Sequence, residues 1–503
     1  MKLARLSLSL LGVVFGVVPS VGSAAHFDLV IAGGRVIDPD SGSDRIVNVG
    51  IRNGRIAAIE ARALKGNRVL DARGLVVTPG FIDLHAHGQD TRSQALQALD
   101  GVTTAIDMEA GRLPINEYYD SLRGRAVINF GASVSQQCAR QVVLDNIPCP
   151  TRSADNGSWV PVVDIRKPRA VFATATAAEV ARIKEVLAEG LDQGGLGIGV
   201  GIEYTPGASR SEILQLFGLA AQRRAPIALH VRRRTRDAAE GAALAAAQEV
   251  VANAAATGAP THLVHAHSTG LADTAEILQL VRGARQRGVD ITTESYPYTA
   301  GSTRIGAAVF DPGWQERFGI TYGDLQWVAT GERLTEESFN RYRETQPSAG
   351  VILHMIRIAD VDVAINAPDV IVASDGASWV TGGEHPRGAG TYARVLGNYV
   401  RDQGTLSLLD AVRKMSYLPA QRLAAYVPAM RQKGRLSVGA DADLAVFDLG
   451  TVRDRATYEN PMVSSVGFKY VLVNGTIVVE DGASVAGTFP GVGVRRSSER
   501  RTP

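Results

Sequence analysis

Hydrophobic and polar positions change rhythm twice along this chain. Near the start, Asp28 to Ile31, Arg45 to Ile51 and Arg55 to Ile59 are short apolar runs separated by Gly, Asp and Asn, the pattern of hairpin strands. The same rhythm returns late, in Leu444 to Asp448, Tyr470 to Val473 and Thr476 to Val479, with Val473-Asn474-Gly475 as a turn. These strand-rich ends predict one small β-sandwich assembled from residues 26–78 and 431–485. The chain would then leave the small domain, build a larger one and return.

In between, short β-like runs alternate with longer helix-like ones, which predicts parallel strands joined by crossovers. The expected strands are Phe81 to His87, Thr103 to Glu109, Ala126 to Val134, Gly195 to Tyr204, Ile227 to Val231, His262 to His267, Asp290 to Tyr296 and Val370 to Asp375. Helices are expected at Ala177 to Ala188, Arg210 to Gln222, Arg236 to Ala255 and Ala272 to Arg287. Such a series over residues 79–430 fits an α/β fold, a (β/α)8 TIM-like barrel with its chemistry at the carboxyl ends of the strands. A doubly wound open sheet is the alternative. Two intervals, Gln136 to Ala173 and Ala300 to Pro347, are too long for simple crossovers. The second holds Trp314, Phe318, Trp327 and Phe339 among many charges, so residues of about 300–350 are expected to fold on themselves as a lid.

Composition narrows the partners. The 503 residues are 45% hydrophobic, enough for a large core, and 53 basic against 51 acidic residues leave no field to attract nucleic acid. Met1-Lys2 and Arg5 precede an apolar run from Leu6 to Val18 and then small residues from Ser20 to Ala25. This reads as a signal peptide over residues 1–25, with cleavage near Ser23 to Ala25, an exported mature protein in the periplasm or outside the cell, and no stable membrane anchor afterwards. An uncleaved anchor is the alternative, although the run is short for a span. In an oxidising compartment Cys138 and Cys149 could pair across a short loop. The tail from Ala486 to Pro503, rich in Gly, Ser and Arg, is expected to be disordered.

Candidate chemistry centres on Pro79 to Asp90. Ile82, Leu84 and Ala86 alternate with Asp83, His85 and His87, so an extended strand would carry both imidazoles on one face, about 7 Å apart. That spacing lets the two rings share a metal. Other ligand types fall at the ends of other expected strands: Asp107 and Glu109 on the second, His230 on the fifth, His265 and His267 on the sixth, Asp375 on the eighth. Each alone has a structural explanation, such as packing for His230 and His265 or a helix cap for Asp375. Four of these histidines and two of these carboxylates gathered at one rim would be costly to bury without a partner, and a zinc ion supplies one.

At these residues the sequence resembles the amidohydrolase superfamily: Pro-Gly-Phe-Ile-Asp-Leu-His-Ala-His from Pro79, Gly101-Val102-Thr103-Thr104, Ser374-Asp375-Gly376 and the Gly439 to Asp443 region. More narrowly, Tyr296 to Ser302, His385-Pro386-Arg387, Arg394 to Gly397 and Thr451 to Arg455 resemble the N-acyl-D-amino-acid deacylases. The resemblance spans about residues 28 to 485. It implies a zinc hydrolase of linear amide bonds, with one or two zinc ions and a small N-acyl amino acid as substrate. By its pattern His85, His87 and Asp375 belong to one metal position and His230 and His265 to the other. Asp375 is the implied general base, and Tyr204, Tyr296, Ser302 and Arg387 are the implied substrate contacts.

Two departures bear on the chemistry. Where those deacylases carry a Cys ligand after the second strand, this chain has Ala110 with Glu109 beside it, so Glu109 is taken as a substitute ligand able to bridge two metals; Glu203 competes for that role. Bridging by a strand-four Lys has no counterpart, because residues 195–205 contain none. Where the deacylases carry a Lys after the strand-six His, this chain has His267, expected to face substrate without a fixed charge. Arg232, Arg233 and Arg304, near strand ends, could receive a second carboxylate, which points to D-glutamate derivatives. A dipeptidase or cyclic-amide hydrolase on the same scaffold, and an exported binding protein without turnover, are the rival readings.

Overall fold

The computed structural model describes residues 26–149, 168–232, 241–377 and 385–497. The expected signal segment, Arg233 and part of the first long interval lie outside the described residues.

Eight parallel strands form the centre: β1 (Phe81–Asp83), β2 (Val102–Arg112), β3 (Asn129–Ser135), β4 (Ile198–Gly201), β5 (Ile227–His230), β6 (Thr261–Leu263), β7 (Ile291–Ser295) and β8 (Val370–Val372), hydrogen-bonded in chain order. Helices such as Thr91–Ala98, Ala177–Asp192, Arg210–Gln222, Ala242–Thr257, Thr274–Gln286 and Ile358–Asn366 return the chain between them. Local sequence explains their starts. Thr176 and Glu179 close a capping box on Ala177–Asp192, Ser209 caps Arg210–Gln222, and Asp90 caps Thr91–Ala98. This is a nearly closed barrel. β8 meets β1 just beyond the strand ends, where Ser374 N donates to Asp83 Oδ1 (3.1 Å) and His87 N to Gly376 O (2.8 Å).

Ile82, Leu84, Ile106, Met108, Leu196, Ala228, Val264 and Ile371 fill the barrel interior, and Leu423, Val427, Met430 and Val494 join the same cluster. Val494 corrects the expectation of a disordered tail, because residues 486–497 are ordered. Phe130 N donates to Val492 O (3.1 Å), Val494 N to Phe130 O (2.7 Å), and Tyr119 OH to Val494 O (2.5 Å). The buried Val494 side chain and the backbone of residues 492–494 dock this segment along β3.

Both chain ends build the small domain. Strands His26–Asp38, Ser43–Arg52, Arg55–Glu60, Lys65–Asp71 and Val76–Pro79 join Leu444–Phe447, Phe468–Val473, Thr476–Glu480 and Ala483–Ser484 in one connected mixed sheet. The seam is the antiparallel pairing of Val76–Pro79 with Leu444–Phe447. Asn474 and Gly475, both at positive φ (50° and 79°), form the predicted turn. Buried Lys433, 2.5 Å from Asp443 and 3.0 Å from Asp441, ties the Gly439 to Asp443 region into this domain, and Asp443 Oδ2 also accepts from Asn129 of β3 (3.0 Å).

Between β7 and β8 the chain makes a three-stranded antiparallel sheet of Gly301–Arg304, Leu325–Trp327 and Gly350–Leu353. Trp314 stacks on Phe339 (5.4 Å between centroids) and Trp327 on Tyr342 (4.0 Å), so the insertion has its own aromatic core.

Candidate metal centre

The regular part of β1 stops at Asp83, short of the expected His87. Asp83 Oδ1 accepts from His85 N (3.0 Å) as well as from Ser374 N, and this turn changes the aim of the next residues. Burial pushes the Asp83 carboxyl up to about 6, against those hydrogen bonds. As a result the His85 and His87 rings stand 4.8 Å apart between centroids and nearly perpendicular, closer than an ideal strand allows.

Four donor atoms converge there. His85 Nε2 lies 3.1 Å from His87 Nε2, 3.0 Å from Glu109 Oε2 and 3.3 Å from Asp375 Oδ1. His87 Nε2 lies 3.1 Å from Glu109 Oε2 and 3.4 Å from Asp375 Oδ1. The far nitrogens explain which way the lone pairs point. His85 Nδ1 faces Glu294 Oε1 (2.5 Å) and His87 Nδ1 faces Asp107 Oδ1 (3.2 Å), so in the neutral rings both protons sit on the outer sides. Two bare nitrogens and two carboxylate oxygens then face one another with no hydrogen between them, an arrangement that needs a cation. Tetrahedral bonds of about 2.0 Å put donor atoms about 3.3 Å apart, close to the separations seen. The donor set therefore fits a divalent metal.

The other oxygen of Glu109 faces a second set. Oε1 lies 2.6 Å from His230 Nδ1 and 3.5 Å from His265 Nε2. His230 Nε2 is held by Glu203 Oε2 (2.8 Å), and His265 Nδ1 by Thr269 Oγ1 (3.3 Å). The two groupings, His85-His87-Glu109-Asp375 and Glu109-His230-His265, are all buried and share one carboxylate. Glu203 thus orients a ring instead of bridging the sets.

The charge balance follows. Burial opposes ionised imidazole at His85 and His87, yet the carboxylates around them outweigh it and raise both well above the usual histidine range. Such a field suits a divalent ion equally. Burial likewise opposes the Glu109 and Asp375 carboxylates, but the rings, and for Asp375 also Arg387 at 3.0 Å, hold both far below their ordinary values. Burial keeps His265 down at about 4, leaving it neutral. His265 (φ 31°) and Asp375 (φ 52°) occupy the left-handed backbone region that non-glycine residues seldom adopt.

A cavity opens beside these donors, lined by His87, Glu109, His230, His265 and Asp375 together with Tyr204, Tyr296, Ser302, Arg304 and Arg387. Arg387 is buried, its guanidinium lies 4.6 Å from the Tyr296 ring centre, and its Nε has no hydrogen-bond partner among the described residues. His385 positions it by accepting from Arg387 N (3.1 Å) at Nδ1 while Nε2 meets Ala300 O (3.1 Å). Ala110 lines the cavity next to Glu109.

His267 departs from expectation. β6 ends at Leu263 and helix Ala266–Gly270 begins, so strand alternation no longer applies and His267 turns off the cavity. Its Nδ1 meets Ser295 Oγ (2.8 Å) and its ring packs against Tyr296 (4.2 Å), leaving Ser268 on the lining. Arg232 pairs with Glu249 through both its Nε and Nη2 (3.1 Å each) and is committed there. No sequence motif marks Glu294, His262 or Gln137, the last of which also lines the cavity. A buried Glu in a strand of Thr and Ser was the one available sign for Glu294.

The barrel, the mixed sheet from both ends and the donor-lined mouth define a class, and the chain belongs to it: it is a member of the amidohydrolase family, whose model matches residues 76–478. Within that family it is 34% identical to an N-acyl-D-glutamate deacylase of Alcaligenes xylosoxydans xylosoxydans, over 90% of this chain and 93% of the relative. It is 30% identical to a D-aminoacylase of the same organism, over 92% and 97%. Among solved structures it resembles the N-acyl-D-glutamate deacylase of Bordetella bronchiseptica, complexed with zinc and a phosphonate mimic of the tetrahedral intermediate (TM-score 0.76, 28% identity, 94% of this chain and 100% of the other). A D-aminoacylase studied for its binuclear metal centre matches equally well (TM-score 0.76, 27% identity, 93% and 100%).

Proposed function

We propose that the protein is a zinc-dependent hydrolase that releases a carboxylic acid and a free D-amino acid from N-acyl-D-amino acids, with acidic amino acids such as D-glutamate preferred. The observation that carries this reading is the pair of donor sets sharing Glu109, beside a cavity lined by Asp375 and Arg387. His85, His87, Glu109 and Asp375 would hold one ion and Glu109, His230 and His265 the other.

A bound divalent ion supplies water activation and polarises the amide carbonyl. Asp375, ionised at neutral pH, accepts the proton of the attacking water and passes it to the departing amine nitrogen. Arg387 on the cavity wall donates charge-assisted hydrogen bonds from its N–H edge to the substrate α-carboxylate, with Tyr204, Tyr296 and Ser302 completing the wall. Arg304 on the same lining brings a second guanidinium, which supports a second carboxylate on the substrate. Export is part of the proposal, supported by the leader pattern of residues 1–25 and by the Cys138–Cys149 disulfide, whose Cα atoms lie 5.4 Å apart.

The test is a panel of N-acyl-D-amino acids, N-acyl-L-amino acids, dipeptides and hydantoins, run on metal-replete protein lacking residues 1–25. Turnover confined to N-acyl-D-amino acids, highest for acyl-D-glutamate, is expected. Faster turnover of dipeptides or hydantoins would replace this reading by a dipeptidase or cyclic-amide hydrolase.

A further inference from the structure

We propose that Gln137 reads the acyl half of the substrate, and that the protein prefers acyl groups bearing a hydroxyl over aliphatic groups of the same size. This deepens the deacylase reading above and rests on it. Asp375 passes its proton to the departing amine, and Arg387, 3.0 Å from it, receives the α-carboxylate, so the amine half of the substrate lies on that side of the cavity. Leu353 and Met355 belong to the same side: Leu353 pairs with Gly301, and Met355 packs beside Gly301 close to Tyr296. The acyl half must then extend across the donors toward His230. There the lining is Ala110, Gln137 and Tyr204, with Tyr204 at the corner, where its hydroxyl accepts from Thr303 Oγ1 (3.4 Å). Apart from the metal donors, this wall carries no charged side chain among the described residues, so an ammonium or carboxylate on the acyl group would meet no free counter-charge.

Gln137 is 4% exposed and lines the cavity, and its Oε1 has no hydrogen-bond partner among the described residues. Buried polar atoms are nearly always paired, so an unpaired amide oxygen on a substrate wall is an acceptor held for what binds there, with two N–H donors beside it. Its neighbours fix its place. Ser135 Oγ accepts from Cys138 N (3.3 Å) to start the short helix Gln136–Arg140, and Cys138 is bonded to Cys149. Gln136 donates to Thr205 Oγ1 (3.4 Å) and stays off the lining. The Gln137 amide reaches the wall over Gly201, the residue of β4 paired with His230. A Cβ on Gly201 would stand 1.9 Å from Gln137 Nε2 and 3.1 Å from the Tyr204 ring, so glycine there lets the two side chains lie next to each other. A hydroxyl donates and accepts, which matches both ends of the amide; a methyl in its place leaves Oε1 unpaired.

The experiment measures release of D-glutamate by the metal-replete protein from two pairs of substrates that differ only by hydroxyl for methyl: N-glycoloyl- against N-propanoyl-D-glutamate, and N-(3-hydroxypropanoyl)- against N-butanoyl-D-glutamate. Wild type is expected to favour the hydroxylated member of at least one pair by about 10-fold in kcat/KM, the worth of one neutral hydrogen bond. Gln137→Met, close in volume, should remove that preference. Gly201→Ala, which pushes the amide aside, should lower it by a smaller factor and serves if Gln137→Met does not fold; melting of each variant separates folding from specificity. Arg387→Met should lower kcat/KM for both members of a pair alike and leave their ratio as in wild type. The proposal is overturned if wild type favours the aliphatic member of both pairs or shows no preference, or if the wild-type ratio survives in Gln137→Met and Gly201→Ala, which would leave Gln137 a purely structural residue. Release of D-glutamate from none of the four substrates overturns the D-glutamate deacylase reading itself, and this one with it, a distinct result.

Discussion

Asp375 and Arg387 touch each other, yet their proposed roles separate in a kinetic measurement. Asp375→Asn keeps the shape but removes the acceptor for the water proton, so turnover of an N-acyl-D-amino acid should fall by about 10²- to 10⁴-fold, with the metal content of the variant assayed alongside. Arg387→Met removes a contact to the substrate carboxylate. Its main effect should be a raised KM for acyl amino acids, with little further change for a substrate whose carboxylate is capped as an amide. A turnover loss as large as that of Asp375→Asn with an unchanged KM would show that Arg387 acts on Asp375 and not on substrate. Asp375 was legible because it stands at the end of an apolar run, and Arg387 through the resemblance of His385-Pro386-Arg387 to the deacylases. Their partners were not, since Glu294 behind His85 or Asp107 behind His87 is a pairing made only when separate strands meet. His267 shows the opposite limit: two-residue alternation put it beside His265, and the early onset of helix Ala266–Gly270 rotated it away.

Among the elements, the eight strands were legible as short apolar runs, but their ends were not. The expected first and sixth strands continued to His87 and His267, whereas β1 stops at Asp83 and β6 at Leu263, because the chain must leave extended geometry to turn its donors inward. The docked tail was misread because Gly and Arg dominate its composition and Val494 alone carries the packing signal. Val494→Asp should therefore place an uncompensated charge against Leu423, Val427 and Met430 and cost about 3–5 kcal/mol, read as a lower denaturation midpoint with the strand-end chemistry intact. The π-helical segment Arg413–Tyr417 gives an element-scale pH effect. Lys414 is 1% exposed, with Nζ donating to Ala367 O, and burial brings its ammonium down to about 7 from the usual 10.5. Between those values the unfolded chain keeps a proton that the folded protein has released, so stability from this group rises with pH across that window. Lys414→Met should flatten that rise and raise the denaturation midpoint at and below neutral pH, checked by denaturant melts at several pH values.

For the molecule as a whole, the alternation of strands and helices and the return of the chain to its starting sheet were readable from pattern alone, because each is a repeated local signal. How the barrel closes was not: it depends on Asp83 meeting Ser374 and on His87 meeting Gly376, contacts between residues nearly three hundred positions apart. That closure and the donor cluster occupy the same place, so the metal should act on the fold as well as on the chemistry. The donors come from β2, β5 and the segments after β1, β6 and β8, and ions held at the two positions together link five parts of the barrel rim. Without them, the buried carboxylates of Glu109 and Asp375 are offset by the neighbouring imidazoles and, for Asp375, by Arg387, which tie the same segments together less strongly than a divalent ion. Removal of metal with a chelator should therefore lower the melting temperature as well as abolish turnover, and zinc should restore both. A hundredfold excess of zinc over its dissociation constant corresponds to about 2.7 kcal/mol of stabilisation. Identical melting curves with and without chelator, at unchanged folded content, would show that the rim is closed by the protein alone.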